Sequence, residues 1–132
     1  MHWRSIVTAY NKSPYFLYYR DLFEPIYKKK FHHLVDLNQE LLEILLATMQ
    51  IKNTRINSTL SYEFIPEAID LRNSFQSKRT PYQSIIPDLP RYMQAFEENH
   101  GFIPDLSITD LLFNLGPDAH KYISDLKIIL SE

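Results

Sequence analysis

The sequence predicts a mainly α domain: a compact bundle of about five or six helices with at most one short strand element. Three observations carry this. Eight Pro stand against only two Gly, punctuation that suits helices joined by stiff corners better than a sheet rich in hairpins. Apolar residues recur at helical spacing through most of the chain. Aromatic residues reach 14%, a load that opposes disorder. The 132 residues are enough for one domain and not for two.

The first helix is read over residues 2–10, with Trp3, Ile6, Val7 and Tyr10 at i, i+3, i+4 and i+7. The chain begins almost on this helix, with no capping residue before it. A second helix is expected to open at Ser13-Pro14, with Ser as N-cap and Pro at the first helical position. It carries dense apolar residues from Tyr15 to Phe23, and Pro25 should kink or restart it. Lys28, Lys29 and Lys30 suit a helix C-terminus, either as a solvated end or as an anion-binding patch. His32 and His33 are adjacent, so on a helix they diverge by about 100° and make a poor pair of metal ligands.

The strongest helical pattern spans residues 36–51, with Asp36 and Gln39 resembling a capping box. Leu37, Leu41, Ile44, Leu45 and Met49 form one face, and Leu42 and Leu46 widen it. A stripe that wide predicts a central, mostly buried helix. After Lys52 the period changes to 2. Ile56, Leu60, Tyr62 and Phe64 alternate with polar residues, which reads as an amphipathic strand over 56–64. A lone strand leaves its backbone unpaired, so a partner strand is expected elsewhere, in another chain or in sequence absent here.

Residues 66–90 read as a long, ordered connection punctuated by four Pro. A short helix is expected over 91–99, stopped by Gly101. Ser107 is the expected N-cap of a helix over 108–115, with Asp110 placed to return the capping bond. Gly116-Pro117 ends that helix and opens the last one, over 118–130.

Composition excludes several function classes. The net charge of −2 is not that of a nucleic-acid binder. The charge is uneven: residues 1–60 hold eight basic against five acidic side chains, and residues 61–132 hold six against eleven. No apolar run reaches the roughly 18 residues of a membrane span and no signal peptide is evident, so a cytoplasmic location and no membrane partner are expected. Without Cys there is no disulfide, thiolate metal site or Cys nucleophile. Two isolated Gly build neither a phosphate loop nor a dinucleotide fingerprint, and no nucleophile elbow, HExxH or EF-hand pattern occurs. No cofactor and no metal are expected.

Several phrases are shared with a known family. His2-Trp3, Ile6, Ala9-Tyr10, Lys12 and Ser13-Pro14-Tyr15-Phe16 form one block. Leu37-Asn38, Asp70-Leu71-Arg72, and Tyr92, Gln94 and Phe96 follow in order. The longest block runs from Gly101-Phe102-Ile103-Pro104 through Leu106-Ser107-Ile108 to Asp110-Leu111-Leu112-Phe113-Asn114-Leu115-Gly116-Pro117. Together they resemble the WbqC-like protein family over nearly the whole chain.

The resemblance implies a C-terminal portion of a longer WbqC-like protein, with residues 1–132 as a single domain. The uncapped first helix and the orphan strand agree with that expectation. It also implies a cytoplasmic role in surface-polysaccharide (O-antigen) biosynthesis, with acyl or aminoacyl transfer to a nucleotide-linked amino sugar. His2 is then the candidate catalytic residue. Trp3, Tyr10, Lys12, Asp70, Arg72 and Lys78 are candidates for binding a nucleotide sugar or another anionic small molecule. Plainer roles stand beside these: a core Trp, and an Asp70–Arg72 ion pair that pins the long loop. The alternative function is a non-catalytic helical interaction module that uses the strand at 56–64. A two-fold homodimer through that strand, or through the surface around Trp3 and Tyr10, is expected.

Overall fold

The structure, a computed structural model, describes residues 2–52, 54–65, 67, 69, 70, 72 and 89–126. The mainly α expectation holds. Among the described residues there are six α-helices, one 3₁₀ turn and no strand. The chain divides into two compact units, Met1–Lys52 with Leu89–Leu126, and Asn53–Asp88 with Lys127–Glu132.

Among the described residues, the first unit holds all the helices. α1 spans His2–Tyr10, as its periodicity predicts. α2 spans Phe16–Lys28 and begins later than the Ser13-Pro14 signal suggests. Tyr15 is the N-cap and makes no side-chain capping bond. Residues 13–15 are instead spent on a turn: the Ser13 N–H donates to Tyr10 O at 2.9 Å, and the Tyr15 N–H donates to Phe113 O at 3.0 Å. Pro25 neither stops nor restarts α2. The helix runs through it, and Pro25 O accepts from the Lys29 N–H at 3.0 Å.

α3 spans Leu34–Thr48 with His33 as N-cap, so the proposed capping box of Asp36 and Gln39 does not form. Asp36 falls in the first helical turn, where a carboxylate complements the helix dipole. Gln39 donates instead to Glu43 Oε1 at 2.9 Å, one turn on. α3 is also not the central helix. It buries Leu45, and Met49 just beyond its end, while Leu42 stays 43% exposed. The centre belongs to α2 and to α5, which spans Ile108–Leu115. Phe16 and Phe23 of α2 and Phe113 of α5 are fully buried, with Phe113 edge-on to both rings.

Between α3 and α5 the expected helix over 91–99 shrinks to α4, Glu97–His100. Tertiary hydrogen bonds override the helical pattern there. Gln94 Nε2 donates to Ile103 O at 2.7 Å while Gln94 Oε1 accepts from the Ile103 N–H at 2.9 Å. Ser107 caps α5 as predicted, its Oγ accepting from the Thr109 N–H. Gly116–Asp118 form a 3₁₀ turn, and α6 spans Ala119–Asp125, later than the Asp118 start predicted. The rest of the predicted last helix, 127–130, lies outside the described residues.

In the second unit, residues 54–65 form no strand. Period-2 alternation stabilises a strand only by pairing and by burying one face. Here Leu60, Tyr62, Phe64 and Ile65 are all exposed. Most of the connection over 66–90 lies outside the described residues.

Candidate functional site

Two groupings of polar side chains stand out in the first unit, and they differ in kind. One is buried. Asp110 sits in the first turn of α5 at 4% exposure, where its carboxylate was expected to return a capping bond. Its Oδ2 accepts from the Tyr92 hydroxyl at 2.6 Å instead. Tyr92 is held by edge contacts with Phe102 and Tyr122, and the Tyr122 hydroxyl donates to Pro90 O at 2.6 Å. Asn114, one turn after Asp110, donates to Asp110 O at 2.8 Å.

Tyr10 completes the group from α1, its ring edge-on to Phe113 at 5.1 Å. Burial first, then the Asp110 carboxylate, push the Tyr10 hydroxyl up to about 12. Burial and the bond to Asp110 raise Tyr92 as well. Both phenols therefore stay neutral while a tyrosine in the unfolded chain ionises near pH 10. The contribution of Tyr10 is complete below pH 10 and is lost as pH rises through about 12; that of Tyr92 is lost in the same direction. Tyr92→Phe should destabilise the fold by about 1–3 kcal/mol, because it strips a buried carboxylate of its donor. Urea unfolding measures this: the midpoint should fall with the slope unchanged, whereas an unmoved midpoint would mean that Asp110 does not depend on Tyr92.

This network is architecture. It accounts for most of the long block over 101–117. Ile103 is clamped by Gln94, Ser107 caps, Asp110 takes Tyr92, Phe113 fills the core and Gly116 lies under the Tyr15 ring.

The second grouping opens to solvent. A cleft of about 720 Å³ lies between the start of α1, the end of α2 and the first half of α3. That volume is within the range of small-molecule sites, ~300–1,000 Å³. Ile6, Ile26, Tyr27, Leu37 and Leu41 line it, and so do His2, His32, His33 and Lys29. The three imidazoles are on exposed residues. Burial raises the Tyr27 hydroxyl, so it can donate a hydrogen bond without ionising. Lys29 pairs with Glu40 of α3 and lies 4.9 Å from the centre of the Phe31 ring. Lys28 pairs with Glu24 at 2.8 Å. Among the described residues no group of three or more His, Cys, Asp or Glu is placed to hold a metal.

The candidates read from the sequence separate accordingly. His2 stands on the cleft. Trp3 is half-buried and stacks on Tyr27 at 5.7 Å, with Phe16 at 6.1 Å. Tyr10 ends α1 beside Asp110, about 12 Å along the helix axis from His2. Lys12 is exposed in the turn after α1. Asp70 and Arg72 do come together, in the second unit. Arg72 Nη2 and Nε donate to the Asp70 carboxylate at 2.6 and 2.8 Å, and Arg72 Nη1 donates to Glu63 O at 2.7 Å. The guanidinium also lies 4.5 Å from the centre of the Tyr62 ring. The hydrogen bonds from Arg72 hold the Asp70 carboxyl down at about 2. The guanidinium is thus committed to pinning its own loop. Lys78 lies outside the described residues.

Sequence reasoning missed the cleft. Its signals were present in Leu37 and Leu41 of the α3 stripe and in the unassigned His32-His33 pair. Leu37 and Leu41 of that stripe line the cleft, together with Leu34 just ahead of it.

Comparison with known proteins adds the following. The chain is 28% identical over 145 residues to "Uncharacterized protein Rv1507c" of Mycobacterium tuberculosis. The alignment covers 92% of this chain and 62% of that protein, so the chain spans less than two thirds of the relative's length. No solved structure matches. Residues 1–71, just over half of the chain, match the WbqC-like protein family, and that span contains every residue that lines the cleft. This chain belongs to the WbqC-like protein family.

Proposed function

We propose that this WbqC-like chain binds an anionic precursor of a surface polysaccharide in the α1–α2–α3 cleft. The ligand class is a nucleotide-linked amino sugar, and the reaction is acyl or aminoacyl transfer in the cytoplasm from an activated acyl ester or thioester to its amine, the amide bond forming as the donor's acyl bond breaks and the alcohol or thiol leaves. One observation carries the reading: the cleft lies entirely within the family-matched span and is lined by three imidazoles and a lysine over an apolar wall. Such walls supply binding energy by burial, and a few convergent polar groups set orientation. His2 is the candidate general base. A neutral imidazole at the rim can accept the proton that an attacking amine must lose.

Melting with UDP-N-acetylglucosamine as the probe tests this. A ligand that binds only the folded state stabilises it by about 2.7 kcal/mol at one hundred times its dissociation constant. A saturable rise in melting temperature at millimolar concentration is expected, and it should shrink in His2→Gln. An unchanged melting temperature up to 10 mM would overturn the reading.

The exposure of Leu60, Tyr62, Phe64 and Ile65 favours a second reading, a non-catalytic module that self-associates through residues 56–64. It predicts a dimer mass by light scattering at tens of micromolar and no response to nucleotide sugars.

A further inference from the structure

The cleft is not lined evenly. Its apolar contributors lie side by side on three helices: Ile6 on α1, Ile26 and Tyr27 on α2, and Leu34, Leu37 and Leu41 on α3. Ile26 is buried, and Ile6, Tyr27, Leu37 and Leu41 are partly buried. Its basic contributors occupy the helix ends. His2 begins α1, Lys29 follows α2, and His32 and His33 precede α3. All four are exposed.

The titratable and charged side chains facing this rim come from each element around it. α1 gives His2 and α2 gives Tyr27. The connection gives Lys29, His32 and His33, and α3 gives Glu40, which pairs with Lys29. Glu40 pairs with Lys29, so the imidazoles are the polar groups of the rim that this ion pair does not hold.

We propose that the cleft takes an anionic amphiphile. The acidic head lies among His2, His32 and His33, and a linear apolar portion lies along Ile6, Ile26, Leu37 and Leu41. Resting on the reading of the cleft as the substrate site, this states the chemistry that site recognises: an anionic group joined to an apolar portion. A bare phosphate gains nothing from the floor, and a neutral alkyl chain gains nothing from the rim. An amphiphile uses both, so charge complementarity and apolar burial act on one ligand.

Octyl sulfate is the probe, because its single charge is constant between pH 6 and 8. Inorganic sulfate and 1-octanol are the half-ligand controls. Trp3 is the only Trp and stacks on Tyr27, so its fluorescence reports the cleft. Below the micellar range, octyl sulfate should bind saturably and at least tenfold more tightly than either control. His33→Gln, an exposed change with no core contact to lose, should weaken octyl sulfate severalfold and leave octanol binding unchanged. Leu37→Ser should weaken octyl sulfate and leave inorganic sulfate unchanged. Equal affinity for octyl sulfate and octanol, or for octyl sulfate and inorganic sulfate, would overturn the inference. A rise in melting temperature with the nucleotide sugar beside no octyl sulfate binding would overturn this inference alone. The reverse pattern would overturn the nucleotide-sugar reading and leave this one standing.

Discussion

Phe113→Ala should destabilise the protein by about 3–5 kcal/mol, the range for deleting a buried aromatic ring. Phe113 is 1% exposed and stands at the junction of three elements. Its ring meets Phe16 at 5.2 Å, Phe23 at 5.5 Å and Tyr10 at 5.1 Å, all edge-on. Those contacts join α5 to α2 and α1. The loss would combine transfer energy with a cavity that three rigid rings cannot collapse to fill. For most domains a change of this size is a large share of total stability. The expected result in urea is a strongly lowered midpoint or an unfolded chain. A shift below about 1 kcal/mol would show that α5 is not the centre of the fold.

Gly116→Ala should cost nearly as much, about 3 kcal/mol, for two reasons that can be separated. The backbone at Gly116 has φ +58°, which only Gly adopts freely. An added Cβ would also lie 2.5 Å from Tyr15 Cδ1 and 2.6 Å from two more atoms of that ring. Tyr15 cannot simply swing away, because its N–H donates to Phe113 O at 3.0 Å. Gly101 supplies the control. Its φ is +71°, yet nothing lies within 4 Å of an added Cβ. Gly101→Ala therefore pays backbone strain alone, about 1–3 kcal/mol. Gly116→Ala should exceed it by a further overpacking cost of about 1–3 kcal/mol. Equal losses at the two positions would mean that the ring yields.

Local signals were legible in the sequence. The α1 periodicity, the Ser107 cap and the stop at Gly116 each depend on residues within one or two turns, and each gave the observed bounds. Features set by distant residues were not legible. Asp110 looked like a capping residue because it stands three positions after the Ser107 cap. Its real partner is Tyr92, eighteen positions away. Residues 91–94 carry a helical pattern but stay unwound, since Gln94 satisfies the Ile103 backbone. The alternation at 56–64 predicted a strand without predicting what would pair with it, and the described chain supplies no partner strand.

The candidate site was half legible for the same reason. His2 was named from its place in the opening block, and it stands on the cleft. His32 and His33 were read as a poor metal pair, and Lys28, Lys29 and Lys30 as a solvated helix end or an anion-binding patch. The fold brings that end of α2 back to the start of α1. Asp70 and Arg72 were read correctly as neighbours, and their hydrogen bonds satisfy each other.

The claim that the cleft within the family-matched span is the ligand site is tested most directly by the imidazole resonances. The chain has five His. His2, His32 and His33 line the cleft, while His100 ends α4 and His120 lies on α6. Titration with UDP-N-acetylglucosamine, followed through the imidazole proton shifts in wild type and single His→Gln variants for assignment, should move the first three together along one saturation curve. His100 and His120 should stay in place. Shifts confined to His100 or His120, or no saturable shift at any of the five, would contradict the account.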